Sequence, residues 1–402
     1  MSLSSQEIIA LADKHLLGNV SRIPLVLVRG KGALVWDAEG RQYYDFIAGV
    51  ATCAFGHCPE FEPKILYDQA QTLIHVSNIF YNEPLVLLAE LLTKASGLSK
   101  AFFSNSGAEA NEAAIKMARK FSYDRYGPGR HVIVSAINSF HGRTMGAISA
   151  TGQTRFHQGF EPMLPDFKFV PFGDIKAMEE AMTKDVCAVL LEPIQGEGGV
   201  NCPPPGYFKA VSELCKAKDV LLILDEIQTG LGRTGQDFAF RRYEAKPDIL
   251  TLGKALGSGY PIGATLSAEE PSKALSPGSH STTVGGAPLA MALALELCRR
   301  ILAPDFLASV AKKGQSFFDK LGELKAKRPR DVREVRGVGL LLGLSLTRPA
   351  APVTAALQDL GFLVNAAAAD VLRLVPPLTV TEEEIDALIK ALDEALEKTS
   401  QS

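Results

Sequence analysis

The sequence predicts an α/β protein built on a mostly parallel sheet, and three observations carry that prediction. Between about residues 85 and 300, short apolar runs alternate with helical stretches, the pattern of a parallel sheet covered on both faces. Runs such as "VLLILDE" and "CAVLLEP" are apolar without alternation, which suits strands buried on both sides. Three runs end in ionisable residues, Glu192, Asp225 and Lys254, and ligands of open α/β sheets sit outside the carboxyl ends of the strands.

Each element follows in order. The first fifty residues open with a capped amphipathic helix in "MSLSSQEIIALADKHLL"; short strands come next in "PLVLVRG" and "ALVWDAEGRQYYDF", with glycine turns between them. Helices are predicted over "AELLTKA" and after Ser106, and strands over "HVIVSAI", "KFVPF", "CAVLLEP", "VLLILDE" and "DILTLGK". A long Ala/Leu-rich helix, "APLAMALALELCRRILA", leads into a region of helices and short strands such as "GVGLLLGLSL" and "VLRLVPPL". Thr381 and Glu384 form a capping box for the last helix, and Ile385, Leu388, Ile389, Leu392 and Leu396 give it one apolar face, which reads as core.

Bulk properties exclude several function classes. The 402 residues, 47% hydrophobic and 22% charged with net charge −3, describe an ordinary globular protein of about two or three domains. That balance gives no electrostatic reason to expect nucleic acid or an anionic membrane as partner. No apolar stretch approaches the roughly twenty residues that cross a bilayer, and the acid-containing N-terminus is unlike a signal or transit peptide. Cys53, Cys58, Cys187, Cys202, Cys215 and Cys298 form no C-x-x-C pair and read as reduced packing residues of a cytoplasmic protein.

The chemistry gathers at the strand ends. A buried carboxylate such as Asp225 is costly unless something cationic meets it. Lys254 lies between "TLG" and "ALGSG", small residues that let another molecule approach closely, and a desolvated lysine makes a good imine-forming amine. Together Asp225 and Lys254 suggest pyridoxal 5'-phosphate, which needs a lysine for its Schiff base and a carboxylate opposite its ring nitrogen. An Asp225–Lys254 ion pair alone is the plainer alternative. A phosphate would sit at the helix N-terminus in "FFSNSGAEANEAAIKMARKF", met by Ser106, Gly107 and Ala108; the same residues also read as a capping box of Ser106 with Glu109.

"GLGRTG", residues 230–235, matches G-x-G-x-x-G and raises the alternative of a nicotinamide-dependent oxidoreductase. No apolar-periodic helix follows it, so it reads as a turn. The chain has no P-loop, no H-E-x-x-H and no nucleophile elbow, and its histidines lack metal-ligand spacing; His57, His75 and His280 read as hydrogen-bonded structural residues.

Taken as an ordered set, "NSGAEANEAAIKMAR", "NSFHGRT", "EPIQGEGG", "DEIQTGLGRTG", "TLGKALGSGYPIGA" and "HSTTVGGAPLA" resemble the class III, fold-type I pyridoxal-phosphate aminotransferases over nearly the whole chain, most closely the acetylornithine branch. The resemblance implies a large domain (51–300) with a mostly parallel seven-stranded sheet. It also implies an N-terminal segment (1–50) packing with a small α+β domain (301–402), and a homodimer with its active site at the subunit interface. Lys254 would carry the cofactor, Asp225 would meet the ring nitrogen, and Gln228 the phenolic oxygen. Gly107 and Ala108 would bind phosphate with Thr283 of the second subunit, while Phe140 and Ile227 would cover the ring faces.

For the substrate, the resemblance implies that Arg143 clamps the α-carboxylate beside Thr282, and that Glu197 neutralises Arg373 until 2-oxoglutarate needs it. Val50 stands where ornithine aminotransferases carry a tyrosine, which suits an acylated donor. The implied reaction moves the terminal amino group of N2-acetyl-L-ornithine to 2-oxoglutarate, as in arginine biosynthesis. 4-Aminobutyrate, succinylornithine, succinyldiaminopimelate and ornithine remain alternative donors, because "GHCPE", "TTVGGAP" and "AAAAD" depart from the family pattern at the substrate rim and subunit contact.

Overall fold

The computed structural model describes residues 3–400. Its centre is a seven-stranded sheet in the order Lys100–Ser104, Gly263–Ser267, Ile249–Leu252, Leu221–Asp225, Val186–Leu191, Val132–Ala136, Phe167–Val170. All neighbours from Ile249–Leu252 to Phe167–Val170 pair in parallel. Every residue of the three strands Val186–Leu191, Leu221–Asp225 and Ile249–Leu252 is buried, as their uninterrupted apolar runs predict. Each leucine or isoleucine enclosed there contributes roughly 1.5–3 kcal/mol.

Within this central sheet, one strand escaped the sequence reading. Gly263–Ser267 runs antiparallel to both its neighbours and is fully buried. Its residues, "GATLS", are small and follow a glycine-rich turn, so the local pattern resembles loop more than core strand.

Helices cover the sheet. The helix Gly107–Tyr126 buries Ala110, Ala114 and Met117 against it. The capping box expected at its start is only half formed. Glu109 N–H donates to Ser106 Oγ at 3.2 Å, but Glu109 Oε2 accepts from Asn105 N–H at 2.7 Å, one residue earlier than the reciprocal bond requires. The last helix, Glu382–Ser400, has its box complete: Thr381 N–H donates to Glu384 Oε2 and Glu384 N–H to Thr381 Oγ1. Its predicted stripe is core, with Ile385, Leu388, Leu392 and Leu396 buried.

Two four-stranded sheets flank the centre. In one, Leu27–Lys31, Leu34–Asp37 and Gln42–Asp45 are joined by Phe362–Leu363, which pairs in parallel with Gln42–Asp45. The other takes Val332–Val338, Leu341–Leu346, Val371–Leu374 and Asn365–Ala368. "GLGRTG" is a turn, with Leu231, Gly232 and Gly235 at positive φ. Its Arg233 is completely buried and donates to the carbonyls of Leu340 and Pro376, while burial pushes its guanidinium down to about 9. The motif thus ties the central sheet to the C-terminal elements. Among the described residues no helix is long and apolar enough to cross a membrane.

Candidate active site

Parallel pairing brings the chemistry together. Asp225 lies in register with Thr251 on the adjacent strand, and Lys254 follows Thr251 by one short turn. Lys254 takes φ 45°, a left-handed conformation that costs a side-chain-bearing residue and turns the chain sharply at the strand's end. Asp225 and Lys254 line one cavity of about 300 Å³ at the carboxyl ends of the strands.

Asp225 is held from behind by uncharged and imidazole donors. Its Oδ2 lies 2.8 Å from Asn111 Nδ2 and 2.8 Å from His141 Nδ1, and its Oδ1 accepts from Ile227 N–H at 3.1 Å. An ionised carboxylate offers about four acceptor sites, so one remains for a donor in the cavity. Asn111 is fixed in turn, since Thr251 Oγ1 donates to its Oδ1 at 2.8 Å and its Nδ2 also reaches the His141 carbonyl. No ion pair joins Asp225 to Lys254 among the described residues, so the plainer alternative does not describe this structure.

The rest of the cavity wall comes from loops at the same sheet end. Gly107 and Ala108 supply the N-terminus of the long helix. A side chain at Gly107 would strike Ile227, with its Cβ only 2.8 Å from Ile227 Cδ1, so glycine is what lets the two segments meet there. Phe140 N–H donates to Glu192 Oε2 at 3.0 Å, which anchors the phenyl ring's backbone. Burial, then the nearby Asp225, holds the Glu192 carboxyl well above the usual range. Burial likewise pushes the Lys254 amine down to about 8, although Glu197 works the other way.

Glu197, Gln228 and Arg373 form a second cluster. Arg373, 1% exposed, pairs with Glu197 Oε1 and donates to Gln228 Oε1 at 3.3 Å, while Gln228 Nε2 lies 3.4 Å from Glu197 Oε1. Burial pushes the Glu197 carboxyl up, but Arg373, Lys254 and Gln228 outweigh it and the net shift is down.

Of the residues singled out in the sequence, Gly107, Ala108, Phe140, Arg143, Glu192, Glu197, Asp225, Ile227, Gln228 and Lys254 face this one cavity. Ser106 does not: its hydroxyl is spent as the helix N-cap. Arg373 reaches the site through Glu197 and Gln228 without forming its wall. Thr282 accepts from Asn105 Nδ2 at 3.1 Å outside the cavity, Thr283 is exposed, and Val50 is half-buried at φ 62° away from the wall. Asn111, which holds Asp225, and the lining residues His141, Gly142, Ile194 and Thr229 were missed. His141 could have been found, because it adjoins Phe140 in "NSFHGRT"; Asn111 sits mid-helix and resembles any polar helix residue.

The residues present fit pyridoxal phosphate. An open acceptor on Asp225, an amine unpaired with it, a helix N-terminus cleared by glycine, and a buried Thr229 hydroxyl without a partner among the described residues all border one space.

Comparison with known proteins agrees. The profile of the family described as "Aminotransferase class-III" matches residues 17–396. The chain is 47% identical over 384 residues to an acetylornithine aminotransferase of Caldanaerobacter subterraneus subsp. tengcongensis, covering 95% of this chain and 97% of that protein. It is 47% identical over 395 residues to an acetylornithine aminotransferase of Methanocaldococcus jannaschii, covering 98% of each. Among solved structures, the ornithine aminotransferase of Toxoplasma gondii superposes with TM-score 0.95 at 35% identity, covering 100% of this chain and 96% of that one. The acetylornithine aminotransferase of Elizabethkingia anophelis gives 0.88 at 34% identity over 99% and 100%. The chain belongs to the class-III aminotransferases, a family of pyridoxal-phosphate-dependent transaminases.

Proposed function

We propose that this protein moves the terminal amino group of N2-acetyl-L-ornithine to 2-oxoglutarate, giving N-acetyl-L-glutamate 5-semialdehyde and L-glutamate, a step of arginine biosynthesis. The observation that supports the donor choice is the near-full-length identity of 47% to two acetylornithine aminotransferases; identity to the solved structures does not separate the donors, being 34% for the acetylornithine enzyme and 35% for the ornithine enzyme. Backbone similarity does not choose the donor, since both kinds of enzyme share this fold.

Pyridoxal phosphate, when bound, supplies an electron sink for the carbanion that forms beside the transferred nitrogen. Asp225 would hold the ring nitrogen, and the Gly107 and Ala108 N–H groups the phosphate. Phe140 and Ile227 would cover the ring faces, and Gln228 would meet the phenolic oxygen. Lys254 would be the point of attachment and, once free, its Nζ would take the proton from the carbon bearing the donor's amine and deliver it to the cofactor carbon that receives the amino group. The amine's depressed affinity for protons keeps a useful fraction neutral near pH 8. Arg143 binds the donor's α-carboxylate with a bidentate fork. Glu197 shields Arg373 while the donor is bound and releases it to a carboxylate of 2-oxoglutarate.

The same reading includes a homodimer in which Thr283, and Thr282 beside it, serve the partner subunit's site, with Val50 at the donor rim. It keeps the division into 1–50, 51–300 and 301–402. Its place is the cytoplasm, where reducing conditions suit unpaired thiols such as Cys187 and Cys298.

Steady-state assays of acetylornithine, ornithine, succinylornithine, succinyldiaminopimelate and 4-aminobutyrate with 2-oxoglutarate test the donor. Acetylornithine is expected to give the highest kcat/KM, and a lower value than for any other donor would remove it. Borohydride treatment of the yellow protein is expected to fix the cofactor on Lys254.

A further inference from the structure

Arg143 is exposed, has no carboxylate partner among the described residues, and is nevertheless held in place. Its guanidinium carbon lies 4.0 Å from the centroid of the Phe156 ring and 5.5 Å from that of Phe140. The two rings meet edge to face at 5.9 Å and 79°. A guanidinium stacks by its face, so the N–H donors in its plane stay free for a planar anion.

The Phe156 ring is itself braced. It ends the short turn Thr154–Phe156, and Phe156 N–H donates to the Gln153 carbonyl at 3.0 Å. Gln153 is buried and ties this turn to the segment before Phe140: its Nε2 donates to the carbonyls of Ser139 and Asn138, and its Oε1 accepts from Arg155 at 2.8 Å. Arg155 also lies over the Phe156 ring, 4.7 Å from its centroid. Asn138 N–H donates to the Gly152 carbonyl at 2.8 Å, which closes the two segments on each other. The loop bearing Phe140 and Arg143 and the turn bearing Phe156 therefore form one connected unit.

We propose that Phe156 is a positioning residue for donor recognition: its ring orients the Arg143 guanidinium so that the fork faces the α-carboxylate of the incoming amine. The proposal rests on the reading of Arg143 as the carboxylate clamp. Without the ring, the long arginine side chain regains its rotamers and must be ordered by each donor that binds. The loss appears in binding and leaves the chemistry at Lys254 alone.

The test compares two donors in the holoenzyme. N-acetylornithine carries the α-carboxylate; N-acetylputrescine is the same donor without it. Phe156→Leu is expected to raise KM for N-acetylornithine about fivefold with kcat nearly unchanged, and to leave kcat/KM for N-acetylputrescine within about twofold. Phe156→Tyr, which keeps the π face, is expected to behave like the wild type. Calorimetric titration with N-acetyl-L-norvaline, which has the carboxylate but no transferable amine, should show the same roughly fivefold weakening for Phe156→Leu. Equal losses on both donors, or no loss on either, overturn the proposal. Arg143→Ala separates the two readings. If it fails to change the preference between the donors, the clamp assignment falls; if it changes the preference and Phe156→Leu does not, only the role of Phe156 falls. Should Phe156→Leu fail to fold, Phe156→Met fills similar volume without a π face and is read the same way.

Discussion

The two ends of the active-site cavity are built on different principles. At the base, Asp225 and Lys254 terminate adjacent parallel strands, and the backbone behind them is fully buried. Thr251, Asn111 and His141 lock the carboxylate through short hydrogen bonds that no solvent reaches. At the rim, Arg143 sits on a loop and is oriented by aromatic faces, while Val50, Thr282 and Thr283 lie on segments that a single chain leaves off the cavity wall. The base needs sub-ångström placement because proton transfer and charge stabilisation depend steeply on geometry. On the proposed reading of Arg143 as a carboxylate clamp, the rim relies on ring stacking of an exposed side chain where the base relies on buried hydrogen bonds.

This contrast predicts that substitutions at the base lower kcat and that those at the rim raise KM. Lys254→Ala should have the largest effect, lowering kcat by at least about 10⁴-fold, because it removes both the attachment point and the proton carrier. Steady-state assays check this, with the melting temperature confirming an intact fold. Asp225→Asn comes next, with kcat down by about 10²–10³-fold and donor KM little changed, since an amide supplies no negative charge to the ring nitrogen. Arg143→Lys should raise donor KM about tenfold and spare kcat, because an ammonium lacks the planar fork. A fall in kcat for Arg143→Lys as deep as that for Asp225→Asn would erase the distinction between base and rim.

The smallest effect is a shift in pH dependence. On the proposed reading the neutral Lys254 amine captures pyridoxal phosphate, so uptake by the cofactor-free protein should accelerate about tenfold per unit as pH rises, levelling off above about 8. Burial lowers the amine's affinity for protons and Glu197 partly restores it. Glu197→Gln removes an anion that favours the ammonium and leaves Arg373 uncompensated, and both changes disfavour the ammonium. The inflection should therefore move to lower pH, measured by the absorbance change on mixing. An inflection that moves upward would place Glu197 outside the field that Lys254 experiences.

Legibility in the sequence follows the same division. Residues at strand ends were readable because apolar runs declare buried parallel strands, and a charged residue closing such a run needs a reason. Gly107 was readable from its glycine turn and helix start, whereas Phe140, Gln228 and Glu197 followed only from the family resemblance; all four face the cavity. Asn111 was not readable, because its bond to Asp225 spans 114 positions and nothing local distinguishes a helical asparagine. Ser106 presents a different ambiguity. Its type and position suit an anion site and a helix cap equally, and the cap took the hydroxyl. Gly263–Ser267 was lost because an antiparallel strand of small residues carries neither periodicity nor bulk.

The parallel pair formed by Gln42–Asp45 and Phe362–Leu363 has a consequence for biogenesis. Those partners are separated by more than three hundred residues, so the N-terminal ribbon waits, with one backbone edge unsatisfied, until residues 362–363 have been made. Nascent chains halted before residue 362 should therefore expose that edge to chaperones and to one another.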